Sequence, residues 1–195
     1  MRMKTIAFAL LTAVSVAISG CSSAVTERTS YYTLAGDKNA SVHSQKICQK
    51  CRKISVRVSV PSFLDNGGIA YHSGDLLVVS KNNLWSESLS IQLQNLLSDQ
   101  INASTGNGIV AFSSALRPAG MMDDAVLNIS VKKFSGSRDG YAEVEGSYVY
   151  ASQQEYRQGH FSRRVLQEED GFAPLVESLN RAWTDECGNL IKDLF

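Results

Sequence analysis

The chain has 195 residues, 19 Lys and Arg against 19 Asp and Glu, a hydrophobic fraction of 44% and 3 prolines. Balanced charge offers no attraction to a phosphate backbone, which argues against nucleic-acid binding. The composition is that of a globular chain able to bury roughly 70% of its unfolded surface around one core. The one long apolar run lies in the first 20 residues, so any membrane contact is made by that end.

Arg2 and Lys4 precede an apolar run over residues 6–18, which Thr12 and Ser15 interrupt and the small Ser19 and Gly20 follow. This core is shorter than the ~20 residues that a spanning helix needs, and its basic start and small-residue end are those of a secretory signal peptide. Ile18-Ser19-Gly20-Cys21 resembles a bacterial lipobox, with Ile where Leu is usual. That resemblance implies cleavage before Cys21, diacylglycerol on its thiol and acylation of its amine. Acyl chains contributing about 0.8 kcal/mol per buried methylene would hold such a protein permanently on a bilayer. The alternative is an ordinary signal peptide with a chance cysteine. Ser22 replaces the Asp that usually retains lipoproteins at the inner membrane, which points to the outer membrane of a Gram-negative bacterium. Cleavage removes Arg2 and Lys4 and no acid, leaving 17 basic against 19 acidic residues and a formal charge of −2. The expected organisation is a signal peptide over 1–20, a lipid-anchored tether over 21–30 and one domain over 31–195.

Along the domain, Tyr31-Tyr32-Thr33-Leu34 reads as a short strand, and residues 35–52 as a polar loop. Ile54, Val56, Val58 and Val60 alternate with Ser55, Arg57 and Ser59 up to Pro61, the pattern of a strand with one buried face. Asp65-Asn66-Gly67-Gly68 is turn chemistry, and residues 69–72 and 76–80 form a hairpin through Ser73-Gly74-Asp75. Trp85, Leu89, Leu93, Leu96, Leu97 and Ile101 recur at three and four residues, which predicts an amphipathic helix capped by Asn83 and ended before Gly106. Residues 109–112 are a further strand and 116–124 a connector. Over 126–134, Leu127, Ile129, Val131 and Lys133 fall on one strand face. A turn at 135–140 leads to strands over 141–150 and 160–168. The last helix begins at Pro174, with Leu175, Leu179, Trp183, Cys187, Leu190, Ile191 and Leu194 in one stripe. The fold class is therefore α+β: a single domain with a mainly antiparallel sheet packed against two amphipathic helices.

Three cysteines follow Cys21: Cys48, Cys51 and Cys187. In an oxidising periplasm an odd count implies one disulfide with a leftover thiol, or an intermolecular bond. Cys48-Gln49-Lys50-Cys51 is the one catalytic-looking motif, yet a redox pair needs a helix N-terminus to lower its thiol pKa, and here a polar loop leads into a strand. A zinc site from His43, Cys48, Cys51 and Cys187 is a further reading, and Cys187 on an apolar stripe reads first as a small buried hydrophobe. His43, His72 and His160 lack metal-ligand spacing, and no nucleophile elbow or phosphate loop occurs. Asp123-Asp124 and Glu168-Glu169-Asp170 do not follow a calcium-loop pattern. Trp85 and Trp183 read as core anchors or, if exposed, as partner contacts. The residues favour a non-enzymatic lipoprotein with no cofactor and no metal.

The order of motifs carries a resemblance. Tyr31-Tyr32-Thr33-Leu34, then Val58-Ser59-Val60-Pro61-Ser62-Phe63-Leu64, Gly68-Ile69-Ala70-Tyr71 and Asn82-Asn83-Leu84-Trp85-Ser86-Glu87-Ser88-Leu89 resemble the ABC-type transport auxiliary lipoproteins. Lys133-Phe134-Ser135-Gly136, Asp139-Gly140 and the ending through Trp183 fit the same pattern, whereas the insert around Cys48 and Cys51 does not. The resemblance implies a lipid-trafficking component that docks a periplasmic tunnel of MCE domains at the outer membrane. An inner-membrane partner would feed the tunnel, and the lipoprotein would form a homo-oligomeric ring to match it. No catalytic residue carries over. A structural envelope lipoprotein and a periplasmic thiol enzyme are the competing classes.

Overall fold

The alternation at residues 54–60 builds strand β2 (Arg52–Ser59), whose Ile54, Val56 and Val58 are buried while Arg57 and Ser59 are exposed. In a computed structural model, residues 28–36, 50–104, 108–113 and 120–195 are described. The expected signal peptide, Cys21, His43, Cys48 and Gly106 lie outside them.

Strand β1 (Ser30–Tyr32) precedes β2, and one helical turn, α1 (Ser62–Asp65), follows it. Strands β3 (Gly68–Ser73) and β4 (Leu76–Trp85) form the expected hairpin, with Gly74 at φ +65° in its two-residue turn, a conformation glycine adopts without a Cβ clash. Helix α2 (Leu89–Ser104) leads to β5 (Ile109–Ser113). Strands β6 (Ala125–Gly136), β7 (Tyr141–Ser152) and β8 (Tyr156–Leu166) form a meander, and helix α3 (Phe172–Leu194) closes the chain.

All eight strands belong to one sheet, and the α+β class holds. The meander ladders β6–β7 and β7–β8 are antiparallel and the longest, as is the β3–β4 hairpin, but β1–β4, β2–β5, β2–β6 and β3–β6 pair in parallel. Alternation reports which face a residue takes and not which strand lies beside it, so this mixture has no sequence signature. Strand β6 is the branch point. One of its edges carries β7, while the other is shared by β2 along residues 125–130 and by β3 at Gly136.

The pairings fix directions. Strands β2, β3, β5, β6 and β8 run one way, and β1, β4 and β7 the other. Both hairpin turns, Gly74-Asp75 and residues 137–140, therefore lie at one end of the sheet with the close of β8. The chain enters β1 from that same end.

Both long helices lie on one face of the sheet and touch each other, α2 over β2 and β5, α3 over β6, β7 and β8. Every residue of the expected stripe on α3 is buried, and the core is one contiguous cluster. Trp183 is fully buried; its indole N–H donates to Leu93 O on α2 at 3.3 Å, and its ring meets Phe161 edge-on at 6.3 Å.

Two expectations are corrected. Asn83 does not cap α2: it lies within β4, which continues through Trp85, and the helix starts at Leu89. Trp85 is buried at the end of that strand, its ring 6.0 Å from Phe134, so both tryptophans are core residues. Lys133 does not share the face of Leu127, Ile129 and Val131, because a β-bulge between Val131 and Lys133 inserts one residue and brings Phe134 to the buried side.

The sheet ends are treated unequally. The edge of β5 is occupied by the Asn102 carboxamide, which accepts from Ala111 N–H at 2.8 Å and donates to Ala111 O at 3.0 Å. The edge strand β8 carries exposed Arg157, His160 and Arg164, charges that discourage edge-to-edge pairing. Strand β1 covers only residues 83–85 of β4. Among the described residues, no strand pairs with the outer edge of residues 76–79, which are Leu-Leu-Val-Val.

Candidate functional site: the tether junction and an open polar face

The motifs at residues 31–34, 68–71 and 82–89 meet where the chain enters the domain, and Asp65, directly after the motif at 58–64, joins them. Strand β1 pairs through Ser30, Tyr31 and Tyr32 with Asn83, Leu84 and Trp85. Beyond it, Ser86 N–H donates to Tyr32 O at 2.8 Å, Thr33 Oγ1 lies 2.7 Å from Ser86 Oγ, and Leu34 N–H donates to the Gln92 Oε1 on α2 at 2.8 Å. Gln92 also donates to Glu87 O at 3.1 Å, which ties the turn before the helix to the same side chain. Trp85 N–H donates to Gly67 O at 2.6 Å. A Cβ on Gly68 would come within 2.4 Å of Ser80 O, so the irregular β3–β4 pairing there requires glycine.

The first turn of α2 is held by a carboxylate from elsewhere in the chain. Asp65 accepts from Ser90 N–H at 3.0 Å, Ser88 Oγ at 2.7 Å and Ser90 Oγ at 3.2 Å. Burial alone would raise the Asp65 pKa; the Ser90 amide, the two hydroxyls and the Leu89 amide outweigh it and hold the carboxyl below its usual range. A negative charge at a helix N-terminus also meets the positive end of the helix dipole. The result is a rigid joint. Tyr31 stands outward on it, 68% exposed.

On the sheet face away from the helices, the end with the hairpin turns carries linked charges. Lys133 pairs with Glu143 at 3.0 Å and Glu145 at 3.4 Å; Arg164 pairs with Glu143 at 3.1 Å and with Asp139, and lies 3.8 Å over the Tyr141 ring. Desolvation would lower the Lys133 pKa, but its bond to Glu143 and the pull of both carboxylates raise it. An open groove of about 480 Å³ beside this network is lined by His72, Lys133, Arg138, Asp139 and Glu143. Lys133, Asp139 and Glu143 of its lining are ion-paired, and the His72 ring is engaged with Ser135 Oγ at 3.1 Å. Such a surface suits reversible polar contact.

The cysteines do not form one cluster. Cys51 is disulfide-bonded and buried, immediately before β2 rather than at a helix N-terminus. Cys187 is a free thiol in the core; burial, with the nearby Glu186 charge, pushes its pKa well above the ordinary range, which keeps it protonated and unreactive. The partner of Cys51 therefore lies outside the described residues, and Cys51 and Cys187 do not share a metal. Among the described residues, no group of three His, Cys, Asp or Glu side chains could hold a metal ion, and no helix is long and apolar enough to cross a membrane.

Sequence reasoning missed the junction's polar staples, because Asp65 and Gln92 act on distant backbone. The one local signal was Ser88-Leu89-Ser90, a capping residue directly before the helix.

Residues 32–188 match the family described as the ABC-type transport auxiliary lipoprotein component. The chain is 26% identical over 186 residues to the intermembrane transport lipoprotein PqiC of Escherichia coli K12 and to its Shigella flexneri counterpart, covering 95% of this chain and 96% of each relative. Among solved structures, an uncharacterized protein aligns with a TM-score of 0.72 at 26% identity, covering 86% of this chain and 99% of that one. Protein XCC0632 from Xanthomonas campestris aligns at 0.65 and 14% identity, covering 83% and 92%, and shares the fold.

Proposed function

Because the chain belongs to the ABC-type transport auxiliary lipoprotein component family, we propose that it is the outer-membrane-anchored lipoprotein of an MCE-type intermembrane lipid transport system. In this reading it is held by acyl chains on Cys21 and docks the periplasmic tunnel. The observation that carries the reading is the end-to-end match to the PqiC lipoproteins, which leaves almost no part of either chain unaccounted for. The partners are an MCE-domain tunnel protein (PqiB-like) and an inner-membrane protein (PqiA-like). The domain acts by binding, as a homo-oligomeric ring around the tunnel axis. Cys48 closes the disulfide with Cys51, since Cys187 is free and Cys21 is taken by lipid.

Support comes from the way the domain is built. Strand β1, where the chain enters the domain, is bonded to β4 and to Gln92 of α2, and the polar face beside the hairpin turns carries the ion pairs of Lys133 and Arg164. Cells carrying the wild-type protein with a crosslinker at the outward face should yield a conjugate with an MCE-domain protein, and the acylated chain should fractionate with the outer membrane. Light scattering of the domain without lipid should report a species larger than one chain. A monomer that captures no MCE protein would favour a structural envelope lipoprotein, and recovery of unmodified chain in the soluble periplasm would remove the anchor.

A further inference from the structure

Asn66 and Gly67 make the short turn between α1 and β3. Asn66 caps the end of α1 and is exposed, and among the described residues neither its carboxamide nor the Gly67 N–H has a hydrogen-bond partner. Gly67 has no side chain to shield its nitrogen, and nothing lies within 4 Å of the place a Cβ would take. An unbonded, unshielded main-chain nitrogen directly after an asparagine is a nucleophile. It reaches the side-chain carbonyl carbon of that asparagine once the chain turns about the Asn66 Cα–C bond.

The neighbouring cases are closed by structure or by charge. Every other asparagine among the described residues lies within β4, α2, β6 or α3, where regular structure holds the torsion that ring closure must change. Asp139-Gly140 has the same spacing, but Gly140 N–H donates to Ser137 O at 3.2 Å, and Ser137 Oγ and Arg164 hold the Asp139 carboxylate. An ionised carboxylate is also a poor target for a nucleophile, which sets aside Asp170-Gly171 as well.

We propose that Asn66 is a site of spontaneous covalent modification, where the chain converts its own side chain to isoaspartate and aspartate with water as the co-reactant. A water or hydroxide takes the Gly67 N–H proton, and the nitrogen electron pair forms a bond to Asn66 Cγ. The Cγ–Nδ2 bond breaks, and Nδ2 takes up a proton and leaves as ammonia. Water then opens the cyclic imide. Breaking the bond from Gly67 N to Cγ gives aspartate, whereas breaking the bond from Gly67 N to the Asn66 main-chain carbonyl carbon gives isoaspartate. Nothing is oxidised or reduced.

The position of the site gives the change its consequence. Directly before it, Asp65 holds Ser88 and Ser90 at the start of α2. Directly after it, Gly67 O accepts from Trp85 N–H at 2.6 Å, and Gly68 lies against Ser80 with no room for a Cβ. An isoaspartyl link routes the main chain through Cβ and Cγ, which lengthens it by one carbon between these fixed points and sets a second carboxylate beside Asp65. The joint between β4 and α2 is loosened, independently of any anchoring at Cys21.

The test ages the full chain, purified in mild detergent at mildly alkaline pH, beside the same chain held unfolded in guanidinium chloride. Peptide mapping by mass and electron-transfer fragmentation separates isoaspartate from aspartate at each position. The folded-to-unfolded ratio of conversion rates at Asn66 should exceed that at Asn102, whose carboxamide is bonded to Ala111, by at least about tenfold. Equal ratios would overturn the site, since the turn would then be shielded as well as a helix. In aged wild type the Trp85 and Ser90 amides should exchange about tenfold faster than in fresh protein, the measure of one lost hydrogen bond. Asn66→Gln aged alike should keep its fresh rates, because glutamine must close a larger and slower ring. Isoaspartate at position 66 with unchanged exchange, or equal quickening in the variant, would overturn the loosening.

Discussion

The two long helices cover the same sheet face yet are secured by different physics. Helix α3 has no side-chain cap at either end and is held by a stripe of buried apolar residues from Leu175 to Leu194. Helix α2 buries Leu89, Leu93, Leu97 and Ile101, but also Gln92, Gln94 and Ser98, and its polar groups are spoken for by distant backbone: Gln92 by Leu34, Gln94 by Val58, Asn102 by Ala111. Apolar contacts tolerate small slides of one surface over another. Directional bonds to fixed amides do not, so α2 sets the position of the chain just after β1 and α3 supplies the adhesion.

The largest effect should come from α3. Trp183→Ala should destabilise by about 3–5 kcal/mol, since the indole is fully enclosed and also bonds Leu93 O; a variant melting like wild type would show that α3 is not the main adhesive surface. Next, Gln92→Leu keeps the volume but strands the buried Leu34 N–H, at a cost of about 1–3 kcal/mol. The same variant should expose the Leu34 amide to exchange, and unchanged protection would show that the staple is dispensable.

Asp65→Ala removes the remote cap from α2 and should lower stability by about 0.5–2 kcal/mol near neutral pH. Because the folded Asp65 pKa is depressed below 3.8, its contribution is complete above that value and fades as pH falls through the folded pKa. The gap between variant and wild type should therefore hold from pH 7 to about 4 and narrow below. A constant gap down to acid pH would assign the effect to packing.

The smallest effect belongs to Glu186, on the α3 side. Burial raises its pKa above 4.5, against the attraction of Arg163 at 3.7 Å and a bond from Asn189. The protonated form is thus favoured by folding, so wild type should gain on Glu186→Gln as pH falls toward 4.5, and at pH 7 the two should differ by under about 1 kcal/mol. A large loss at neutral pH would make the ion pair with Arg163 a principal support.

Sequence legibility followed the same division. The α3 stripe was readable in full because apolar spacing is the whole of its physics. The start of α2 was not, since Trp85 ends a strand and Leu89 begins a helix, yet both point into one core at helix-like spacing across the joint at residues 86–88. At Lys133 one inserted residue reversed the parity. The order of family motifs found the junction as a set of words, but the bonds of Asp65 and Gln92 span 25 and 58 residues and leave no local trace.

The parallel pairing of β1 with β4 also has a mechanical side. A lipid anchor of the kind proposed above, pulling on the chain before Ser30, would draw β1 back along its own axis toward the end from which it entered. That load falls in shear on all the rungs at Ser30, Tyr31 and Tyr32 together, and the clamps at Thr33 and Leu34 resist in the same direction. A pull across the strand axis would instead peel the rungs one at a time. On the anchoring proposed above, the domain would be gripped where the pull is applied, and a short strand would suffice because its bonds must break as a group.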